Sequence, residues 1–226
     1  MIFKESFSFD EKVSGCFDDM LSRSVPDYSN MRALVHSVGA NFAGKGDTVV
    51  DLGSSLGRAY GPFAMDGANV ISCEVSKNMV ERQRALYGDL PNVDIRHCDI
   101  TSDYPRESAD LVLCVLTLQF LPVEERQRLV ANMSASLKPG GAAIVVEKLL
   151  GGSADIESLM VREHYRAKAA NGYTPDQVES KRRALVRVMA PLTESANREM
   201  LLSNGFSHVE CFWRHLNFAA FLAVRP

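Results

Sequence analysis

Asp51-Leu52-Gly53-Ser54-Ser55-Leu56-Gly57 follows the strand-like run Thr48–Leu52 and opens a helical segment, and this junction decides the fold class. Small residues at such a turn let backbone amides approach a ligand, which suits a nucleoside cofactor. Ser55 stands where the three-glycine dinucleotide spacing needs its middle glycine, so a dinucleotide site is the weaker reading. A plain tight turn is the remaining alternative. Gly53, Ser54 and Ser55 are the candidate contacts in the loop.

Outward from the loop, strand-like and helix-like segments alternate: 70–75, 93–98 and 111–116 follow Thr48–Leu52, and 142–147 completes the series. Alternation of this kind implies an α/β fold, a parallel sheet covered by helices on both faces. Two apolar extended segments, 208–216 and Phe218–Val224, join at Asn217 and predict an antiparallel terminal pair. Leu137-Lys138-Pro139-Gly140-Gly141 reads as a turn entering the fifth strand. Between that strand and the terminal pair, 151–204 is helical in pattern and starts at the hinge-like Gly151-Gly152-Ser153. Ligands of open α/β sheets bind beyond the carboxyl ends of the strands, so a helical insertion here is placed to close over a site.

Ahead of the sheet, Phe9, Val13, Cys16, Phe17, Met20 and Leu21 form a helical stripe that reads as a lid or packing helix. Ser24-Val25-Pro26-Asp27-Tyr28-Ser29-Asn30 breaks it at the proline and offers capping side chains before a second stripe at Met31, Leu34, Val35, Val38 and Phe42. Tyr28 is thus expected on the connector. The chain reads as one domain, with lid helices at about 9–42 and the helical insertion at about 151–204.

The second and third strands end in acids. Glu74, with Val75 beside it, is placed for a carboxylate to accept both hydroxyls of a ribose. Asp99-Ile100 is placed to accept a hydrogen bond from an adenine amino group while the isoleucine packs on the ring. Each acid alone is more often a solvated strand end. Three strand ends in register make an adenosine site the better account.

The 226 residues carry a formal net charge of -3, which argues against a general basic surface and so against direct nucleic-acid binding. The first residues are charged early and contain no long apolar run, so neither a signal peptide nor a membrane span is expected, and the cytoplasm is the expected compartment. Cys16, Cys73, Cys98, Cys114 and Cys211 are scattered without a Cys-x-x-Cys pair or a histidine at ligand spacing, which points to reduced thiols rather than a disulfide or a metal.

The ordered set of loop, Glu74, Asp99, the fourth-strand exit Val115-Leu116-Thr117-Leu118-Gln119-Phe120-Leu121-Pro122 and the Lys-Pro-Gly-Gly turn resembles the S-adenosylmethionine-dependent methyltransferase superfamily. That resemblance implies a Rossmann-like, mostly parallel seven-stranded sheet with an antiparallel C-terminal strand. A narrower set resembles the carboxy-S-adenosylmethionine synthase family over nearly the whole chain: Phe9-Asp10, Phe17-x-Asp19-Met20, Arg23-Ser24-Val25-Pro26-x-Tyr28-Ser29-Asn30, the Asp-Leu-Gly-x-Ser-Leu-Gly loop, Thr117-Leu118-Gln119-Phe120-Leu121, Glu147-Lys148 and Asn171-Gly172-Tyr173.

The resemblance implies that S-adenosyl-L-methionine is converted to carboxy-S-adenosyl-L-methionine, with prephenate as carboxyl source, for later use in transfer RNA modification. A homodimer is expected from the same resemblance and from the amphipathic lid and insertion. It also implies that Tyr28 and Val115 touch the cofactor and that Arg182 grips a carboxylate. Arg182 shares a helical face with Leu185, Val186 and Met189, an odd charge in an apolar stripe, and a guanidinium holds a carboxylate through two parallel hydrogen bonds. No general base is assigned. Two positions depart from the family pattern: Ser54 replaces a common cysteine, and Val115 replaces an asparagine, leaving only its backbone for that contact or an altered pocket. A methyltransferase acting on an acidic small molecule and a cofactor-binding regulatory subunit are the alternative readings.

Overall fold

The computed structural model describes residues 17–226. The expected stripe positions Phe9, Val13 and Cys16 and the Phe9-Asp10 motif lie outside the described residues. Strands are β1 (Thr48–Leu52), β2 (Asn69–Glu74), β3 (Val93–His97), β4 (Ala109–Val115), β5 (Leu137–Leu150), β6 (Leu192–Thr193), β7 (His208–His215) and β8 (Phe218–Val224). Helices are α1 (Phe17–Ser24), α2 (Tyr28–Gly39), α3 (Gly61–Met65), α4 (Lys77–Tyr87), α5 (Val123–Ser136), α6 (Ala154–Ala170), α7 (Pro175–Leu185) and α8 (Glu194–Ser203).

The strands form one sheet in the order β3-β2-β1-β4-β5-β8-β7, with the short β6 on β5. β1 to β5 pair in parallel, whereas β8 runs antiparallel to both β5 and β7. This is the mostly parallel sheet with an antiparallel C-terminal strand expected from sequence, the two-residue β6 adding an eighth strand to the seven expected. The central strands read as continuous apolar runs because both faces are covered. In β4, Leu111 and Leu113 join the core cluster built on Met31, Val35 and Phe63, while Val112 and Cys114 join the cluster built on Leu129, Met133 and Leu201. Successive residues therefore feed opposite layers, as the strand period requires.

Three local details differ from expectation, each for a visible reason. β5 begins at Leu137 rather than 142, because the Lys-Pro-Gly-Gly turn is absorbed into the strand beside a register shift between Ala109 and Leu111, with Gly140 at φ 77°. Tyr28 is the first residue of α2, not a connector residue: Asp27 takes φ 54° and turns the chain straight into the helix. The helix expected to carry Arg182, Leu185, Val186 and Met189 on one face ends at Leu185, and Arg187 takes φ 67° beyond it. No helix among the described residues is long and apolar enough to cross a membrane.

The topology positions a site. The carboxyl ends of β1 to β5 open on one edge of the sheet, and α1, α6 and α7 lie over that edge. α7 is fixed at its start by a capping box, Thr174 Oγ1 accepting from Gln177 N and Gln177 Oε1 accepting from Thr174 N, with Pro175 in the first turn.

Candidate active site

A cavity of about 280 Å³ lies over the strand ends. Its floor is the loop after β1. Gly53 N–H and Ser54 N–H both donate to the Cys73 carbonyl, at 2.9 and 3.0 Å, which ties the loop to β2. Gly53 has φ +70°, and a Cβ there would lie 2.5 Å from Thr117 Cγ2, so the close approach of the β1 and β4 turns requires glycine. Beneath the loop, the buried Gln83 of α4 donates to Ser55 O at 2.5 Å and Ser54 Oγ at 3.0 Å, and accepts from Ser72 Oγ and Tyr60 Oη. A buried polar network with every member satisfied fixes one loop geometry. Sequence reading missed Gln83, because a glutamine in a helical pattern carries no sign of which face it occupies until the helix is docked.

Glu74 lines the cavity and is 7% exposed. Its Oε2 accepts from Ser55 N and its Oε1 from Ser76 N, both at 2.8 Å. Burial raises its carboxyl while these amides pull it back down. Each oxygen keeps acceptor capacity for a ribose hydroxyl. Asp99 also lines the cavity; Thr101 N and Oγ1 donate to its Oδ1 at 2.9 and 2.7 Å, and its Oδ2 has no bond among the described residues. Ile100 lies buried beside it, and Val75 and Val115 complete the apolar walls.

Asp51 lines the same space at 1% exposure, and its Oδ2 has no hydrogen-bond partner among the described residues. Burial, then the charge of Glu74, push its carboxyl up to about 8. An unpartnered buried oxygen facing a cavity needs a polar ligand group to satisfy it. Tyr28 is buried under α1, raised to about 12 chiefly by burial, with the Arg32 guanidinium 5.6 Å from its ring centroid. Arg58 fastens the loop to α1, donating from Nε and Nη2 to Asp18 Oδ2 at 2.8 and 2.6 Å.

The fourth wall is the β4 exit. Gln119 Oε1 accepts from Lys148 N at 2.7 Å, Glu147 Oε1 accepts from Leu118 N at 3.0 Å, and Leu116 takes φ 59°. The Thr117–Leu121 and Glu147-Lys148 motifs, far apart in sequence, thus meet as one clamp. Burial lifts Glu147 to about 8 despite Arg126.

The Arg23 and Asn171-Gly172-Tyr173 motifs meet as well. Arg23 Nε donates to Asn171 O at 2.9 Å and its guanidinium lies 4.3 Å from the Tyr173 ring centroid, while Ser24 Oγ and Tyr173 Oη are 3.2 Å apart. His164 Nε2 donates to Ser24 O at 2.7 Å and is held neutral, near 4, mainly by burial. This clasp joins α1 to α6 and α7 over the cavity.

The structure brings Tyr28, Gly53, Ser54, Ser55, Glu74, Val75, Asp99, Ile100 and Val115 to the cavity. It does not bring Arg182 there. Arg182 is half exposed, donating to Glu179 Oε2 and Oε1 at 2.7 and 2.8 Å, and Arg183 shares the same carboxylate. The two arginines hold Glu179 near 2. The face of α7 that meets the cavity is instead that of Lys181 and Leu185, with Met189 beyond the helix. Leu185 lies four residues from Lys181 and three from Arg182, so the helical wheel admits either, and Glu179 takes Arg182 outward.

Residues 50–145 match the family model described as a methyltransferase domain. The chain is 36% identical to carboxy-S-adenosyl-L-methionine synthase of Erwinia tasmaniensis, with 97% of this chain and 92% of that protein covered. The same enzyme of Wolinella succinogenes is 37% identical, covering 98% and 95%. The chain belongs to the carboxy-S-adenosyl-L-methionine synthase family. It is therefore a transferase of the S-adenosyl-L-methionine class. Among solved structures, magnesium protoporphyrin IX methyltransferase from Synechocystis PCC 6803 with bound SAH superposes with a TM-score of 0.65 over 96% of each chain at 16% identity, a likeness of fold. Human N-acetylserotonin methyltransferase in complex with SAM gives 0.63 at 17% identity, covering 95% of this chain and 55% of that one.

Proposed function

We propose that this chain carboxylates S-adenosyl-L-methionine with prephenate, giving carboxy-S-adenosyl-L-methionine and phenylpyruvate. The observation that carries the reading is the polarity of the cavity. Its β1–β2–β3 end holds Glu74, Asp99 and the small-residue loop Gly53–Ser55, which suit a nucleoside, and its β5 end holds cations, which suit an anionic second reactant. A neutral methyl acceptor has no use for such an end.

The unpartnered Asp51 Oδ2 and the lone pairs left on Glu74 and Asp99 fit S-adenosyl-L-methionine. In this reading Glu74 takes the ribose hydroxyls, Asp99 and Ile100 the adenine, and Tyr28 and Arg32 the amino-acid end. Val115 contributes packing and its carbonyl, the role left once the family asparagine is gone. The sulfonium supplies an acidified methyl group when bound.

The balance of the reaction needs little from the protein beyond placement. Prephenate loses its ring carboxyl as carbon dioxide; the electrons of that carbon–carbon bond aromatise the ring and expel the ring hydroxyl as hydroxide. Hydroxide takes one methyl proton to become water, and the methyl carbon bonds carbon dioxide. The chain's residues hold two reactants in contact, and the clasp of Arg23, Ser24 and Tyr173 keeps water from them. Arg182, facing away from its own cavity, is proposed to serve a neighbouring copy in a homodimer, gripping the transferred carboxyl group. The cytoplasm is the proposed compartment.

Mass spectrometry of the small molecules that co-purify with the protein tests the reading. A nucleoside heavier than S-adenosyl-L-methionine by one carboxyl group supports it. Retained S-adenosyl-L-methionine or S-adenosylhomocysteine alone, from cells that make prephenate, counts against it.

A further inference from the structure

Three lysines reach the cavity from three separate elements: Lys148 from the end of β5, Lys168 from the last turn of α6 and Lys181 from α7. Lys168 is only 9% exposed. Long ammonium side chains are rarely this buried unless something pairs with them. The acids that line the cavity are engaged elsewhere or lie at the other end: Asp18 with Arg58, Asp51 and Glu74 at the β1 and β2 ends, and Asp99 with Thr101.

Among the described residues, the remaining neighbours do not neutralise the cluster. The acid that acts on Lys148 is Glu157, whose Oε2 is taken by Gly151 N. Burial first, and then the charges of Lys148 and Lys181, push the Lys168 ammonium down to about 8. His164 beside it is neutral, its Nε2–H spent on Ser24 O. Lys181 donates to Tyr173 Oη and lies 4.2 Å from that ring centroid, contacts that orient its ammonium without cancelling the charge. Like charges gathered in a half-dry pocket are costly, and an anion is what repays the cost.

We infer that Lys148, Lys168 and Lys181 form the subsite for a dicarboxylate, holding its two carboxylates while Leu185, Met189 and Phe218 take its carbon skeleton. The inference rests on the synthase reading for the identity of the dianion, and it assigns the binding of the second substrate to this chain's own lysines rather than to Arg182. The sheet order separates the two reactants: the lysine on the strand floor is two strands to the right of β1 and the nucleoside acids lie on β2 and after β3 to its left, so the reacting centres meet over β1 and β4.

Two probes test it on the protein loaded with S-adenosyl-L-methionine. Cyclohexane-1,4-dicarboxylate cannot lose carbon dioxide by aromatising, so calorimetry reads its binding without turnover; cyclohexanecarboxylate is the monoanionic control. The dianion is expected to bind at least about tenfold more tightly than the monoanion, and Lys148→Met and Lys168→Met are each expected to weaken it by about tenfold or more while leaving S-adenosyl-L-methionine affinity unchanged. Lys168→Arg should restore most of the loss. With prephenate, the same variants should raise KM far more than they lower kcat. If Lys168→Met fails to bind S-adenosyl-L-methionine, and so has not folded, the less buried Lys181→Met decides by the same measurements. Unchanged KM and dianion affinity in a folded variant overturn the subsite while leaving the synthase reading in place. Lysine-dependent binding of the dianion with no turnover of prephenate leaves the subsite and overturns the substrate.

Discussion

Glu74 is the residue whose role is most open to a single substitution. Both its oxygens already accept a backbone amide, so Glu74→Ala removes loop contacts as well as ribose contacts. It is expected to weaken S-adenosyl-L-methionine binding by about 1–3 kcal/mol by calorimetry, with a lower Tm. Unchanged affinity would take Glu74 out of the site. Arg182 gives the opposite expectation: Arg182→Ala should keep nucleoside affinity and lose turnover. If the guanidinium serves a neighbouring copy, wild-type turnover per chain should fall on dilution, alongside a falling mass by light scattering. A dilution-independent rate from a monomer overturns that role. At this scale the sequence was legible where one residue answers to one strand end, as at Glu74 and Asp99. It was illegible where partners decide, since nothing in the Lys181–Leu185 stretch states that Glu179 will draw Arg182 outward and leave Lys181 facing in.

Among elements, the β1 loop and the clasp carry the strongest expectations. Gly53→Ala places a Cβ 2.5 Å from Thr117 Cγ2 at φ +70°, so the β4 exit must move, and binding of S-adenosyl-L-methionine should be lost while the sheet survives. Circular dichroism and calorimetry on the same sample separate the two. Arg23→Ala removes the hydrogen bond to Asn171 O and the stacking on Tyr173, so amide exchange at 171–174 should quicken markedly with little change at β1 or β4. Uniform exchange in wild type and variant contradicts the clasp. Strands were read well from sequence because a doubly covered parallel sheet leaves unmistakable apolar runs. The β5 start was misplaced because a bulge lets strand pairing continue through a Pro-Gly-Gly turn that looks terminal from sequence. The clasp and the clamp were quoted as separate motifs, and only the fold shows that each is one structure.

For the whole molecule, buried ionisable groups set how stability follows pH. Asp51 and Glu147 are raised to about 8, so between the ordinary carboxylate range and 8 the unfolded chain has released two protons that the folded chain keeps, and stability falls as pH rises through this window. His164, lowered to about 4, acts in the opposite sense up to its ordinary value near 6.5, where the unfolded chain binds the extra proton. The two effects partly cancel below about 6.5 and the acids act unopposed above it. Ligand-free Tm should therefore fall most steeply between about pH 6.5 and 8, and Asp51→Asn should flatten that slope. A Tm that rises across this interval contradicts the burial of these acids.

The central claim, that the cavity unites a nucleoside with a carboxyl-donating dianion, is tested most directly by incubating the protein with S-adenosyl-L-methionine and prephenate labelled with carbon-13 at its ring carboxyl. Liquid chromatography with mass spectrometry then follows the label. It should appear in a carboxylated nucleoside in step with unlabelled phenylpyruvate, with no S-adenosylhomocysteine. Label found only as free carbon dioxide, or S-adenosylhomocysteine formed with a methylated acceptor and no carboxylated nucleoside, would contradict it.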